Sequence, residues 1–297
     1  MSIFSGLEAF GVNTKKQQNI YDNGEAEREK ELLEQKKKEE AEKAARKPTF
    51  TEEKDYLLQK DITCTVCGKK FKTFVVRNAK LRRSEPDYDL RPRFHNIDTL
   101  KYHVTSCPHC GYTALTEYFT GLTKGQIQLV RENIGRSFKS QDTLLPETYD
   151  YTTAIMRTKL ALYNAVVKRG KTSERAYTCL KTYWLYRDHI QEVKEAGYSD
   201  FLEIDRLTTE MRDFAKEAYE GFQKAMAEEP LPICGMDSNT LEYLLACLGT
   251  EIKDYTHAAR FLSDVITSKT TNSRLKDRAL ELKDKVLEEV NAAKNQV

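Results

Sequence analysis

From Thr123 onward, apolar residues recur every three or four positions, the period of a helix with one buried face. Ile127, Val130, Ile134 and Phe138 make one stripe. Tyr151, Ala154, Ile155, Thr158, Leu162, Ala165 and Val166 make a second, closed by Gly170. A third starts at a cap on Ser173 and carries Ala176, Tyr177, Leu180, Tyr183, Trp184 and Ile190. The longest runs from a Ser199 cap through Phe201, Leu207, Met211, Phe214 and Phe222 to Pro230. Three shorter stripes follow, starting from Ser238, around Ala258 to Ile266, and from Leu275 to Val290. Short connections between amphipathic helices predict antiparallel neighbours, hence stacked helical hairpins. The run LLACLGTEIKDYTHAARFL resembles one degenerate tetratricopeptide unit, with Ala246 and Ala258 at positions of close helix approach. No strict 34-residue period recurs elsewhere, and an ordinary bundle fits equally well.

The stretch before these helices has a different texture. Residues 50–120 hold short β-rich runs, Ile62–Val66, Phe71–Arg77 and Leu100–Ser106, separated by Gly68, Pro86, Pro92 and Gly111. So few core residues call for a staple. Residues 25–47 hold eight acidic and eight basic side chains, with Leu32 and Leu33 the only large apolar ones. Glu34 with Lys38, and Glu39 with Lys43, form i,i+4 pairs, which predicts a solvated helical spacer rather than a coiled coil. Ile3, Phe4, Leu7 and Phe10 precede it at near-helical spacing.

Composition narrows the classes. The chain of 297 residues is 39% hydrophobic and 32% charged, yet its net charge is only +2. A core is affordable, and no molecule-wide field attracts nucleic acid or membrane. No run reaches the ~20 apolar residues that span a bilayer. The opening MSIFSGLEAFGVN lacks a basic region followed by an apolar one, so no signal peptide is read there and a cytoplasmic location is expected.

Four of the seven cysteines sit in two C-x-x-C pairs, Cys64 with Cys67 and Cys107 with Cys110. Each pair places two thiolates on one tight turn, and a glycine follows each, Gly68 and Gly111. Two such knuckles close a tetrahedral four-sulfur shell, the coordination of one structural Zn²⁺ with no position left for substrate. The 39 residues between the pairs exceed ordinary ribbon spacing, so an insertion lies between the knuckles. His95, His103 and His109 are read as surface or packing residues. Cys179, Cys234 and Cys247 are read as small buried hydrophobes.

That insertion is basic. Residues 60–95 carry ten Lys or Arg against four acids. Lys69, Lys70, Lys72, Arg77, Lys80, Arg82 and Arg83 are the candidate contacts for an acidic partner or a phosphate backbone. The competing reading pairs Arg77, Arg91 and Arg93 internally with Asp87, Asp89 and Asp98.

The strings VVRNAKLRR and DYDLRPRFHNIDTLKYHVTSCPHCGYTAL, set between the two knuckles, closely resemble the bacterial family catalogued as domain of unknown function 2225. ERAYTCLKTYWLYRD is similar to that family's continuation. The resemblance implies zinc binding and a tetratricopeptide-like helical part, and no assigned activity. The expectation is therefore an α+β, mostly α chain. A leader and charged spacer occupy residues 1–49, a zinc-ribbon-like module 50–120 and a helical domain 121–297. The leading function is a scaffold that binds another protein, with a groove lined by Tyr163, Tyr177, Tyr183, Trp184 and Tyr186. Nucleic-acid binding by the basic module ranks second. An enzyme ranks last, because no nucleophile–base set, phosphate loop or open metal site is legible.

Overall fold

The computed structural model describes residues 7–11, 30–38, 51–197 and 201–294. The chain divides into two compact units, Met1–Thr49 and Phe50–Val297. In the first, Leu7–Phe10 form a 3₁₀ turn, and residues 30–38 form helix α1 with every side chain exposed. The rest of the charged segment, and Ile3 and Phe4, lie outside the described residues.

The second unit opens with two antiparallel β-hairpins. β1 (Leu57–Thr63) pairs with β2 (Lys70–Val76) in the register Leu57↔Val76 to Thr63↔Lys70. β3 (Val104–Ser106) pairs with β4 (Thr113–Leu115). The β1 register corrects the expected strand at Ile62–Val66: that run straddles the strand's end and the turn beyond it. On β2, Phe71 and Thr73 face inward while Lys70 and Lys72 face solvent. Leu100–Ser106 is likewise divided, into a 3₁₀ turn at Thr99–Tyr102 and β3.

Among the described residues seven helices follow: α2 (Lys124–Val130), α3 (Tyr151–Val167), α4 (Thr172–Glu195), α5 (Phe201–Glu228), α6 (Ser238–Glu251), α7 (Tyr255–Thr267) and α8 (Ser273–Lys294). Each from α4 to α8 packs on its predecessor, as the short connections predict. The chain is thus mostly helical with two small sheets, the α+β class expected. No helix among the described residues is long and apolar enough to cross a membrane.

Capping explains several boundaries. Asp150 and Asp237 accept hydrogen bonds from the third residues of α3 and α6, at 2.7 and 2.8 Å. The expected cap at Ser173 is displaced: α4 begins one residue earlier, and Ser173 sits in its first turn. There Glu229, just past α5, accepts from the Ser173 N–H at 2.9 Å and from its hydroxyl at 2.6 Å. The first stripe also ends early. α2 stops at Val130, a π turn covers Arg131–Gly135, and Phe138 lies beyond both.

Helix α4 sits at the centre, buried on nearly every side between α3, α5 and the insertion. Its core partners include Leu207, Met211, Phe222, Leu241 and Leu244. A second core joins the hairpin tips to α2, bringing Val66, Phe71, Tyr112 and Phe119 against Val130 and Ile134. No linker therefore separates the β part from the helices near residue 120. A third core unites α6, α7 and α8 around Leu262, Val265 and Leu282.

Candidate metal centre

Both C-x-x-C pairs lie at hairpin tips, and the strands aim them at one another. In the first, Cys64 N–H donates to the Lys69 carbonyl at 3.0 Å and Gly68 N–H donates to the Cys64 carbonyl at 2.9 Å. In the second, Cys107 N–H donates to Tyr112 at 2.8 Å and Gly111 N–H to Cys107 at 3.1 Å. Each turn passes through a left-handed glycine, Gly68 at φ 76° and Gly111 at φ 73°. A side chain there would be strained. At Gly111 it would also collide, since a Cβ would lie 2.3 Å from the Phe138 ring. The turns bring the four sulfurs within 4.8 Å of one another. Cys64 Sγ lies 3.6 Å from Cys110 Sγ, and Cys67 Sγ lies 3.7 Å from Cys107 Sγ. This set can hold a metal ion.

The surroundings fix that geometry. Val66 N–H points at Cys64 Sγ at 3.4 Å, so the backbone stabilises a thiolate. Arg131, in the π turn, donates to the Val66 carbonyl through Nε at 2.8 Å and Nη2 at 2.5 Å. Asn164 on α3 donates to the Gly111 carbonyl at 3.1 Å. His109 ties the knuckles together, its Nε2 donating to the Lys70 carbonyl at 3.2 Å. Cys64, Cys107 and Cys110 are buried and Cys67 partly so. With no cation between them, such thiols cannot all ionise. Hydrogen bonds from Cys110 and Cys64 pull Cys107 down to about 4, while the same cluster pushes Cys110 up. A bound dication reverses that repulsion and makes every sulfur a ligand.

Over residues 57–286 the chain matches the family described as uncharacterized protein conserved in bacteria, DUF2225. The chain belongs to the DUF2225 family. No curated protein and no solved structure matches it.

In this DUF2225 protein the other histidines and cysteines stand apart from the cluster. His103 Nδ1 donates to the Leu100 carbonyl, and burial holds the ring's pKa well below the usual histidine range. Burial pushes the Cys179 thiol up to about 12 and Cys247 well above its ordinary value, as suits inert core groups.

The basic candidates divide by position. Lys69, Lys70, Lys72, Lys80, Arg82 and Arg83 are exposed, and Arg77 is half-buried. Among the described residues, none of Lys69, Lys70, Lys72, Arg82 and Arg83 forms an ion pair. Arg91 and Arg93 do. Arg91 is fully buried and donates to Asp98 and to the Trp184 carbonyl, each at 2.8 Å, while also pairing with Asp188. Arg93 holds Asp87 at 2.7 Å and Asp188 at 2.5 Å. Asp89 pairs instead with α4, taking Arg187 at 2.5 Å and the Trp184 indole N–H at 2.7 Å. Tyr243 of α6 donates to the Tyr88 carbonyl at 2.7 Å, and Arg278 of α8 to the Asp87 carbonyl at 3.0 Å. Residues 85–98 thus form a strap across three helices. Leu90 takes φ 64° within it, a strained conformation that this network holds in place.

The expected aromatic groove is not formed. Tyr183, Trp184 and Tyr186 are buried, Tyr177 is partly buried, and Tyr163 alone of the five is exposed. The spacing that suggested a groove is the buried surface of a helix packed on all sides.

Proposed function

We propose that this protein is a zinc-stapled scaffold that binds another protein through the outer face of α3. Tetrahedral zinc with sulfur ligands at ~2.3 Å sets its sulfurs about 3.8 Å apart. The 3.6 and 3.7 Å separations across the cluster support that ion. Four thiolates saturate it, so its role is structural. Such ligands persist in a reducing compartment, which favours the cytoplasm.

The observation that carries the partner reading is one apolar stripe. Met156, Tyr163 and Val166 lie at helical spacing on α3 and are 61%, 54% and 51% exposed. Soluble domains place polar residues on such a face unless something covers it, and tyrosine and methionine are enriched where partners dock. Tyr163→Glu with Val166→Glu should abolish capture of a partner from a lysate of the source bacterium, while melting and circular dichroism stay unchanged. An unaltered set of captured proteins would end this reading.

A second reading rests on Lys70 and Lys72, which share the outward face of β2 and form no ion pair among the described residues, although Asp61 stands across from Lys72 in the β1 register. Phe71 and Phe74 are buried, so no base-stacking platform accompanies them. Nuclease treatment of the same lysate separates the two. Partners that vanish with nuclease, and with the triple change of Lys69, Lys70 and Lys72 to glutamate, would make nucleic acid the ligand.

A further inference from the structure

Arg157 projects from α3 into a cavity of about 480 Å³ that the metal centre and the helical stripes leave unexplained. Its guanidinium stacks on the Tyr149 ring at 4.6 Å and donates from Nη2 to the Val104 carbonyl at 2.9 Å. Its Nε is buried with no acceptor. Among the described residues, no carboxylate pairs with it. A buried arginine is ordinarily paired, because desolvating its charge is costly. Here burial depresses the guanidinium pKa, with only the Tyr149 hydroxyl opposing it.

The cavity's other walls mix apolar and polar side chains. Phe138, Leu144, Met156 and Leu160 line it, and Leu144 is 81% exposed at its edge. Lys72 and Asp142 also line it, and the Asp142 carboxylate accepts from the Leu144 N–H at 3.0 Å. With Arg157, the charged lining carries one net positive charge. The volume falls within the roughly 300–1,000 Å³ of small-molecule sites.

We infer that this cavity binds a carboxylate on a small apolar body, with Arg157 as its counter-ion. A guanidinium matches a carboxylate's two oxygens. The guanidinium gains the counter-ion that no carboxylate among the described residues supplies, and Phe138, Leu144, Met156 and Leu160 take the alkyl or aryl part. The carboxylate could belong to a free organic acid or to the end of a peptide.

Calorimetric titration of the full metal-loaded chain tests this. The probes are octanoate, octanol, octylamine, and acetyl-leucyl-leucine as acid and as amide. Octanoate should bind once per chain and at least tenfold more tightly than octanol or octylamine. Arg157→Gln should weaken it roughly 10- to 100-fold, the range of a charge-assisted hydrogen bond. Met156→Glu, at an exposed position that leaves the fold intact, should weaken it as well and decides the matter if Arg157→Gln unfolds. Binding of the peptide acid in preference to octanoate would keep the carboxylate site and move its source to a chain end. Equal binding of octanoate and octanol, wild-type affinity in Met156→Glu, or no saturable binding of either acid would overturn the proposal. None of these outcomes bears on partner capture through Tyr163 and Val166.

Discussion

Removing the metal should unfold much more than the two knuckles. Val130 and Ile134 share a core with Cys64, Cys107 and Cys110, so α2 depends on the cluster for its buried face. Asn164 of α3 and the Phe138 ring both fasten to Gly111, within the second knuckle's turn. A structural zinc contributes on the order of 10 kcal/mol of apparent binding energy in small peptides. That is comparable with the roughly 5–15 kcal/mol that holds a whole domain folded. Metal analysis of the native protein should give about one zinc per chain, the stoichiometry of a four-sulfur site. After chelation, or in Cys107→Ser, hydrogen exchange should lose protection across β1 to β4, α2 and the Asn164 end of α3. The separate core of α6, α7 and α8 should retain it longest. Persistent protection of α2 and α3 would mean that these helices fold without the ion. A well-folded native protein free of metal would remove the zinc assignment altogether.

In the sequence, the helices from residue 123 read as separate from the cysteine module, and the reason lies in what periodicity reports. A stripe of apolar residues says that a face is buried, not what buries it. Val130 and Ile134 read as part of a helix–helix interface, and their partners turn out to be Val66 and Tyr112. The cysteine cluster was legible because C-x-x-C followed by glycine is local chemistry: the turn, the left-handed residue and both candidate donors lie within five positions. The helical elements were legible for the same local reason.

The strap was harder to read. Arg91 with Asp98, and Arg93 with Asp87, were accessible as near neighbours in sequence, and both pairs form. The partners on α4 were not accessible, since Arg187 and Asp188 lie about a hundred positions away. One signal was available. Helix α4 carries Asp188 and Arg187 beside Trp184 and Tyr183, charges set directly among large aromatic residues on a stripe that otherwise reads as core. Charges in that setting are ordinarily paired. With several unpaired aspartates and arginines in the preceding insertion, the pairing could have been sought there. The left-handed Leu90 had no signal, because only tertiary contacts make a leucine accept that conformation.

Breaking the strap should cost nearly as much as losing a core side chain. Arg91→Met keeps the volume and removes the charge from a site that is 0% exposed, leaving Asp98 short of its partner and Asp188 with Arg93 as its one remaining cation among the described residues. Removing one member of a buried ion pair typically costs about 3–5 kcal/mol, mostly as the penalty of the stranded charge. Urea unfolding monitored at Trp184, whose indole N–H and carbonyl both bind the strap, reads this directly. Arg82→Met, exposed and without an ion pair, should stay within about 0.5 kcal/mol of wild type. The two changes Arg91→Met and Asp98→Asn should cost less together than the sum of each alone, because the second removes the charge the first stranded. Acid should act in the same direction. Burial alone would raise the Asp87 pKa, but the Arg93 hydrogen bond and the charges of Arg187, Arg93 and Arg91 hold it below the usual carboxylate value. A lowered folded-state pKa means that Asp87 stabilises the fold above the ordinary aspartate pKa and loses that contribution as pH falls through the lower value. Asp87→Asn should therefore flatten the acid limb of the stability curve. A cost below about 1 kcal/mol for Arg91→Met, the scale of a surface pair, would show that the strap rests on the helices without fastening them.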